Sequence, residues 1–172
     1  MSLFFVFIFY SFGNGVILKA KVMITNLNEK ECKNLLTNNY IGHLAYIYRD
    51  RPFVIPITYF FTVDDTVLGY TNEGHKTVTM RKNNSVSLEI DEIENLNNWK
   101  SVLAHGVYEE LSGIDAKASL HEFAEGIKNL ASKKEKKDFH FISDFSSKLH
   151  EEGLPIVFKI AIDEVTGKKR IN

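Results

Sequence analysis

The sequence predicts a mainly β domain with a few helices, built as a six-stranded antiparallel barrel. Three observations carry that expectation. Short segments rich in apolar, β-branched and aromatic residues follow one another from residue 40 to about residue 111. Most of the connections between them are too short for the crossovers that parallel strands need, so neighbouring strands must run antiparallel. Aromatic residues make up 12% of the chain, and a closed or nearly closed barrel buries them while removing exposed sheet edges.

Taken in order, the first element is a helix. Asn26 and Glu29 have capping-box spacing, and Cys32, Leu35 and Leu36 then fall on one helical face. The strand-like segments follow as IGHLAYIY, PFVIPITYFFTV, TVLGYT, SVSLEI and WKSVLAHGVYEEL. Asp64 and Asp65 supply a hairpin turn between the second and third of these. Residues 74–84, between the third and fourth, form a polar stretch long enough for a short helix. Beyond Gly113, Ala116, Leu120, Phe123, Ala124, Ile127, Leu130 and Ala131 recur at helical spacing, which marks the clearest helix in the chain. Residues 133–138 (KKEKKD) read as a solvated helix end or loop. Ile156, Phe158, Ile160 and Ile162 alternate with polar neighbours as a last strand that returns to the sheet. No repeat or linker divides residues 23–172, so they are expected to form a single domain.

Composition narrows the function classes. The 172 residues carry a net charge of -1, so no broad basic field draws the chain onto nucleic acid. The single cysteine, Cys32, excludes an internal disulfide and fits a reducing compartment, so the cytoplasm is the expected location. Residues 3–10 (LFFVFIFY) are apolar but far too few to span a bilayer, and no membrane partner is expected. A secretory signal would place positive charge before that run, whereas Lys19 and Lys21 follow it. Residues 1–22 are therefore read as an N-terminal extension that need not belong to the fold, with the functional chain beginning near Met23.

Most enzyme signatures are missing. The six histidines lack H-x-x-x-H spacing and one cysteine cannot build a zinc centre, so no metal site is expected. His121, Glu122 and Glu125 could offer ligands along a helix, but exposed polar positions of an amphipathic helix explain them as well. Gly13 and Gly15 lack both a third glycine and a preceding strand, and there is no P-loop. What remains is residues 69–76, GYTNEGHK, where a strand gives way to a short helix. Thr71 and Asn72 offer side-chain hydrogen bonds, Gly74 lets backbone come close, Lys76 adds a positive charge and His75 a second donor. That set suits a phosphate, although the same residue types crowd ordinary surface turns.

The order of five short segments then points further: IGHLA (residues 41–45), FVIPITY (53–59), YTNEGHK (70–76), NWKSV (98–102) with Gly106 following, and the closing VTGK (165–168). In that order they resemble the pyridoxamine 5'-phosphate oxidase-like FMN-binding split barrels, most closely their nitroimidazole-resistance-protein-like branch. The likeness runs from about Leu27 to Gly167. It implies a six-stranded split β-barrel that binds FMN between the two subunits of a homodimer. By the resemblance, Pro56, Ile57, Thr58 and Tyr59 line the flavin, largely through backbone groups, while Tyr70, Thr71, Asn72, His75 and Lys76 belong to the phosphate-binding segment. Many relatives carry arginine where His75 stands. Ser101 falls where relatives reach the flavin from the second subunit, and Trp99 is either a ring contact or a core or dimer-interface aromatic.

The resemblance implies an FMN-dependent oxidoreductase that uses NADH or NADPH to reduce a small organic acceptor, such as a nitro compound or quinone. No catalytic side chain is assigned, since the flavin carries the redox chemistry; His43, His75 and His105 are candidate proton donors and equally structural candidates. Vitamin B6 oxidation is not expected, because the chain ends in VTGKKRIN and lacks the arginine-bearing segment that true pyridoxamine phosphate oxidases use for substrate. The family also holds haem- and deazaflavin-binding members, which leaves a noncatalytic protein that stores or sequesters flavin or haem as the competing reading.

Overall fold

The computed structural model describes residues 23–135 and 155–171, so the extension at residues 1–22 and the end of the charge run lie outside the described residues. The elements follow as β1 (Ile24–Asn26), α1 (Glu29–Asn38), β2 (Ile41–Tyr48), β3 (Arg51–Thr58), β4 (Phe60–Phe61), β5 (Thr66–Thr71), α2 (His75–Met80), β6 (Ser85–Asn95), β7 (Asn98–Glu110), α3 (Gly113–Glu135) and β8 (Ile156–Arg170). All strand pairings are antiparallel, in the order β3-β2-β6-β7-β8-β5-β4, with β1 added on β8. The two ends of this path, β3 and β4, do not pair with each other among the described residues, so the barrel is split.

The sheet holds eight strands where six were expected, because two short pieces join it. The long segment after Arg51 breaks at Tyr59, whose side chain turns fully into the core while its backbone N–H donates to Tyr40 O at 2.9 Å. This leaves β4 as a separate two-residue strand. Strand β1 arises only through pairing with the end of β8, with Asn26 opposite Lys168. That pairing also moves the cap of α1. Asn28, rather than Asn26, is the N-cap; its side chain accepts from Glu31 N, and the Glu31 carboxylate accepts from Asn28 N.

Turn chemistry fits each hairpin. Arg49 and Asp50 both adopt positive φ (49° and 59°), the backbone of a two-residue hairpin between β2 and β3, and Asp65 does the same (55°) before β5. Gly106 is where β7 meets an irregularity in β8. A Cβ there would lie 2.3 Å from Ala161 O, so only glycine permits that approach.

Alternation puts Leu44, Tyr46, Leu88, Ile90, Val102, Ala104, Phe158 and Ile160 inside the barrel with Leu35 and Leu36 of α1. Each fully buried Leu, Ile, Val or Phe among them contributes about 1.5–3 kcal/mol. The stripe of α3 behaves as its spacing predicts. Leu120, Phe123, Ala124 and Ile127 cover Leu68 and Val157 in a second cluster outside the barrel. Among the described residues, no helix is long and apolar enough to cross a membrane.

Candidate functional site

Strand β5 ends at Thr71, and residues 72–74 carry the chain to α2. The His75 ring reaches across the barrel to the opposite end of the sheet. Its Nδ1 lies 3.2 Å from the Tyr46 hydroxyl of β2, and its ring stands edge-on to Tyr48 (centroids 4.6 Å apart) and tilted against Phe53 of β3 (5.3 Å). Lys76, half-buried, has no hydrogen-bond or ion-pair partner among the described residues. Beside it the Gly74 backbone borders open space, for a Cβ there would meet nothing within 4 Å. A cation without a counter-charge next to accessible backbone fits the phosphate of a flavin nucleotide.

The segment contains one acid, and it is restrained. The Glu73 carboxylate accepts both Arg81 guanidinium nitrogens Nη1 and Nη2 at 2.7 Å each, and Thr77 Oγ1 donates to it at 3.1 Å. The Arg81 bond is the main cause holding the Glu73 carboxyl below its ordinary value, and Thr77 adds to it. Arg81 Nε in turn donates to Glu110 of β7 at 2.9 Å, and Tyr108 donates to the same carboxylate oxygen at 2.9 Å. Burial, then the bond to Glu110, pushes the Tyr108 phenol up, so it stays a donor.

Tyr70 and Thr71 lie on opposite faces of β5. Thr71 is buried and donates to Asn72 O at 3.2 Å, whereas the Tyr70 ring packs edge-on against Phe123 of α3 (5.3 Å) and burial raises its phenol. Asn72 is exposed.

On β3 the side chains alternate. Pro56 and Thr58 face outward opposite His43 and Ile41 of β2, while Ile57 leans on the barrel core. Tyr59 donates to Leu36 O at 2.9 Å, and burial pushes its phenol far up. Pro56 therefore shares the outer sheet face with His43, Glu89 and Ser101. His43 Nδ1 lies 3.3 Å from one Glu89 carboxylate oxygen, and Ser101 Oγ donates to the other at 2.7 Å. Trp99 is half-buried further along β7, between Ile93 of β6 and Arg170 of β8. His105 Nδ1 is 2.7 Å from Ser87 Oγ. The structure thus makes two groups of the expected residues: His75 and Lys76 beside the β2–β3 hairpin, and Pro56, Thr58, Trp99 and Ser101 on the outer face.

Two features escape linear reading because they join separate elements. One is the Glu73–Arg81–Glu110 chain. The other is His43, Glu89 and Asp91, whose ligand atoms lie within 4.8 Å of one another although no metal-binding spacing exists along the sequence.

Comparison with known proteins agrees with this architecture. An uncharacterised protein of Rhizobium meliloti is 33% identical over 85 residues, 49% of this chain and 56% of that protein, so the match spans little more than half of the relative. Similar folds occur in an FAD-binding protein from Mesorhizobium loti (TM-score 0.68, 25% identity, covering 88% of this chain and 100% of that one). A candidate 5-nitroimidazole antibiotic resistance protein from Bacteroides thetaiotaomicron (0.61, 14%, 86% and 89%) and an FAD- and haem-binding protein from Mycobacterium smegmatis (0.60, 13%, 86% and 74%) share the fold. The family model for pyridoxamine 5'-phosphate oxidase matches residues 28–169, nearly all of the domain, and the chain belongs to that family.

Proposed function

We propose that this protein binds FMN at the interface of a homodimer and transfers electrons from NADH or NADPH to a small organic acceptor, a nitro compound or a quinone. The observation that carries the reading is Lys76: an ammonium group with no counter-charge among the described residues, in the segment that the sequence resemblance aligns with the family's phosphate-binding position. When bound, the flavin supplies the electron-transfer chemistry. The chain's own residues bind and orient. Lys76 and His75 hold the phosphate, and the backbone of residues 56–59 lies along the ring system. Trp99 and Ser101 reach the site of the partner subunit. No side chain is assigned as catalytic, and pyridoxamine phosphate is not the proposed substrate.

Dimerisation is supported by the outer face of β2 and β3. Ile41, Ile47 and Val54 are 57%, 42% and 60% exposed there, alongside exposed Pro52 and Pro56. Exposed apolar side chains grouped in this way suit an interaction surface, and a two-fold axis would bury the same patch of each subunit. The cytoplasm is the proposed compartment, consistent with a single, buried thiol.

A noncatalytic flavin- or haem-binding role is the second reading, favoured by the similarity to a solved FAD- and haem-binding protein. Anaerobic mixing of the FMN-loaded protein with NADH or NADPH separates the two. Bleaching of the yellow colour, with recovery on adding a nitro compound or quinone, is expected of the oxidoreductase. Retained colour at saturating nucleotide would contradict it and leave the binding role.

A further inference from the structure

We propose that Arg81 is a positioning residue that sets the charge of the phosphate-binding segment by holding the Glu73 carboxylate away from Lys76. The inference rests on the reading of residues 70–76 as that segment, and it concerns a side chain outside it.

Glu73 is the only acid among residues 70–76 and precedes Lys76 by three positions. Glu73 stands in the connection before α2 and Lys76 on its first turn, and an ion pair between these close neighbours in the chain would occupy the ammonium that an anionic ligand needs. Instead the carboxylate turns to Arg81, which grips both of its oxygens at 2.7 Å in the fork geometry that guanidinium and carboxylate share. Thr77 Oγ1 lies 3.1 Å from Oε1 but shares its one hydrogen with Gly74 O at 2.8 Å, so Arg81 is the main partner of the carboxylate.

Arg81 is itself anchored. Its Nε donates to Glu110 of β7, whose Oε1 also accepts from Tyr108. The guanidinium thus links the segment to the end of a long barrel strand. Both ion pairs are partly solvent-exposed, and pairs screened by water add little to folding stability. Their consequence is where the negative charge of Glu73 stands. Lysine at position 81 would not reproduce it, because an ammonium cannot present two parallel donors.

The test is titration of the full-length protein, stripped of flavin, with FMN and with riboflavin, which lacks the phosphate. Lys76→Ala should weaken FMN by roughly tenfold to a hundredfold and leave riboflavin unchanged, as loss of a charge-assisted hydrogen bond implies. Arg81→Ala should weaken FMN by roughly threefold to tenfold, again without affecting riboflavin, since a freed carboxylate acts through solvent-screened charge. Glu73→Gln combined with Arg81→Ala should restore FMN affinity to within about twofold of wild type, because the competing charge is gone. Equal losses for both flavins in Arg81→Ala, or no recovery in the double variant, would show that Arg81 only supports the local fold and would overturn the proposal. An FMN-specific loss in Lys76→Ala with no effect of Arg81→Ala would overturn it while leaving the phosphate reading in place. Equal losses, or none, in Lys76→Ala would remove the phosphate reading and this inference together.

Discussion

The Tyr46 hydroxyl stands 3.2 Å from Nδ1 of His75, joining β2 to the first residue of α2. These residues are 29 apart in sequence, and their contact brings the segment between β5 and α2 to the β2–β3 end of the split sheet. Phe53 and Tyr48 contact the same imidazole, which keeps an exposed face beside Lys76.

Replacing that imidazole tests its proposed role toward phosphate. His75→Arg substitutes a planar guanidinium that is charged at every ordinary pH and can donate two parallel hydrogen bonds. FMN affinity should rise by roughly tenfold with riboflavin affinity unchanged, as one added charge-assisted bond implies. Isothermal titration with both flavins reads the difference. A loss of affinity for both would mean that the His75–Tyr46 contact matters for shape and not for charge.

Tyr59→Phe tests how the barrel holds α1. Leu36 is within the last turn of that helix, where carbonyl groups lack intrahelical partners. The Tyr59 hydroxyl supplies the missing donor at 2.9 Å in a fully buried setting. Its removal should destabilise the protein by about 1–3 kcal/mol, the cost of leaving a buried acceptor unpaired. In urea the midpoint should fall with unchanged slope. An unchanged midpoint would show that the hydroxyl contributes nothing.

Local patterns along the chain mark most elements, and the departures arise from pairing at long range. The apolar stripe of Leu120, Phe123 and Ile127 is visible in order along the chain, and it packs as a helix must. Asp64 and Asp65 mark their turn for the same reason. The cap of α1 lies two residues later than Asn26 because that residue pairs with Lys168, which is 142 positions away. Tyr59 breaks its strand because its ring fills the core, a demand of tertiary packing. In the candidate site, Lys76 and His75 are legible from residue type and order. The aromatic contacts of His75, the Arg81 grip on Glu73 and the row of His43, Glu89 and Ser101 depend on how separate elements meet, and no local pattern encodes them.

Val54→Lys tests the proposed dimer. Val54 faces outward, 60% exposed in the single subunit, so lysine there leaves the barrel core untouched. In a dimer the same position becomes buried, where an unpaired charge is strongly unfavourable. Sedimentation equilibrium should give about twice 19.7 kDa for the wild type and a shift toward monomer, with weakened FMN binding, for the variant. A wild-type monomer that binds FMN tightly would contradict both the dimer and the placement of Ser101 at the partner's flavin.

The most direct measurement is the visible absorption spectrum of the protein purified without added cofactor, followed by denaturation and chromatographic identification of what is released. The expected result is a yellow protein with a flavin spectrum that releases FMN. Release of FAD, a haem Soret band, or a colourless protein that takes up no FMN on titration would contradict the proposal that residues 70–76 hold the phosphate of flavin mononucleotide.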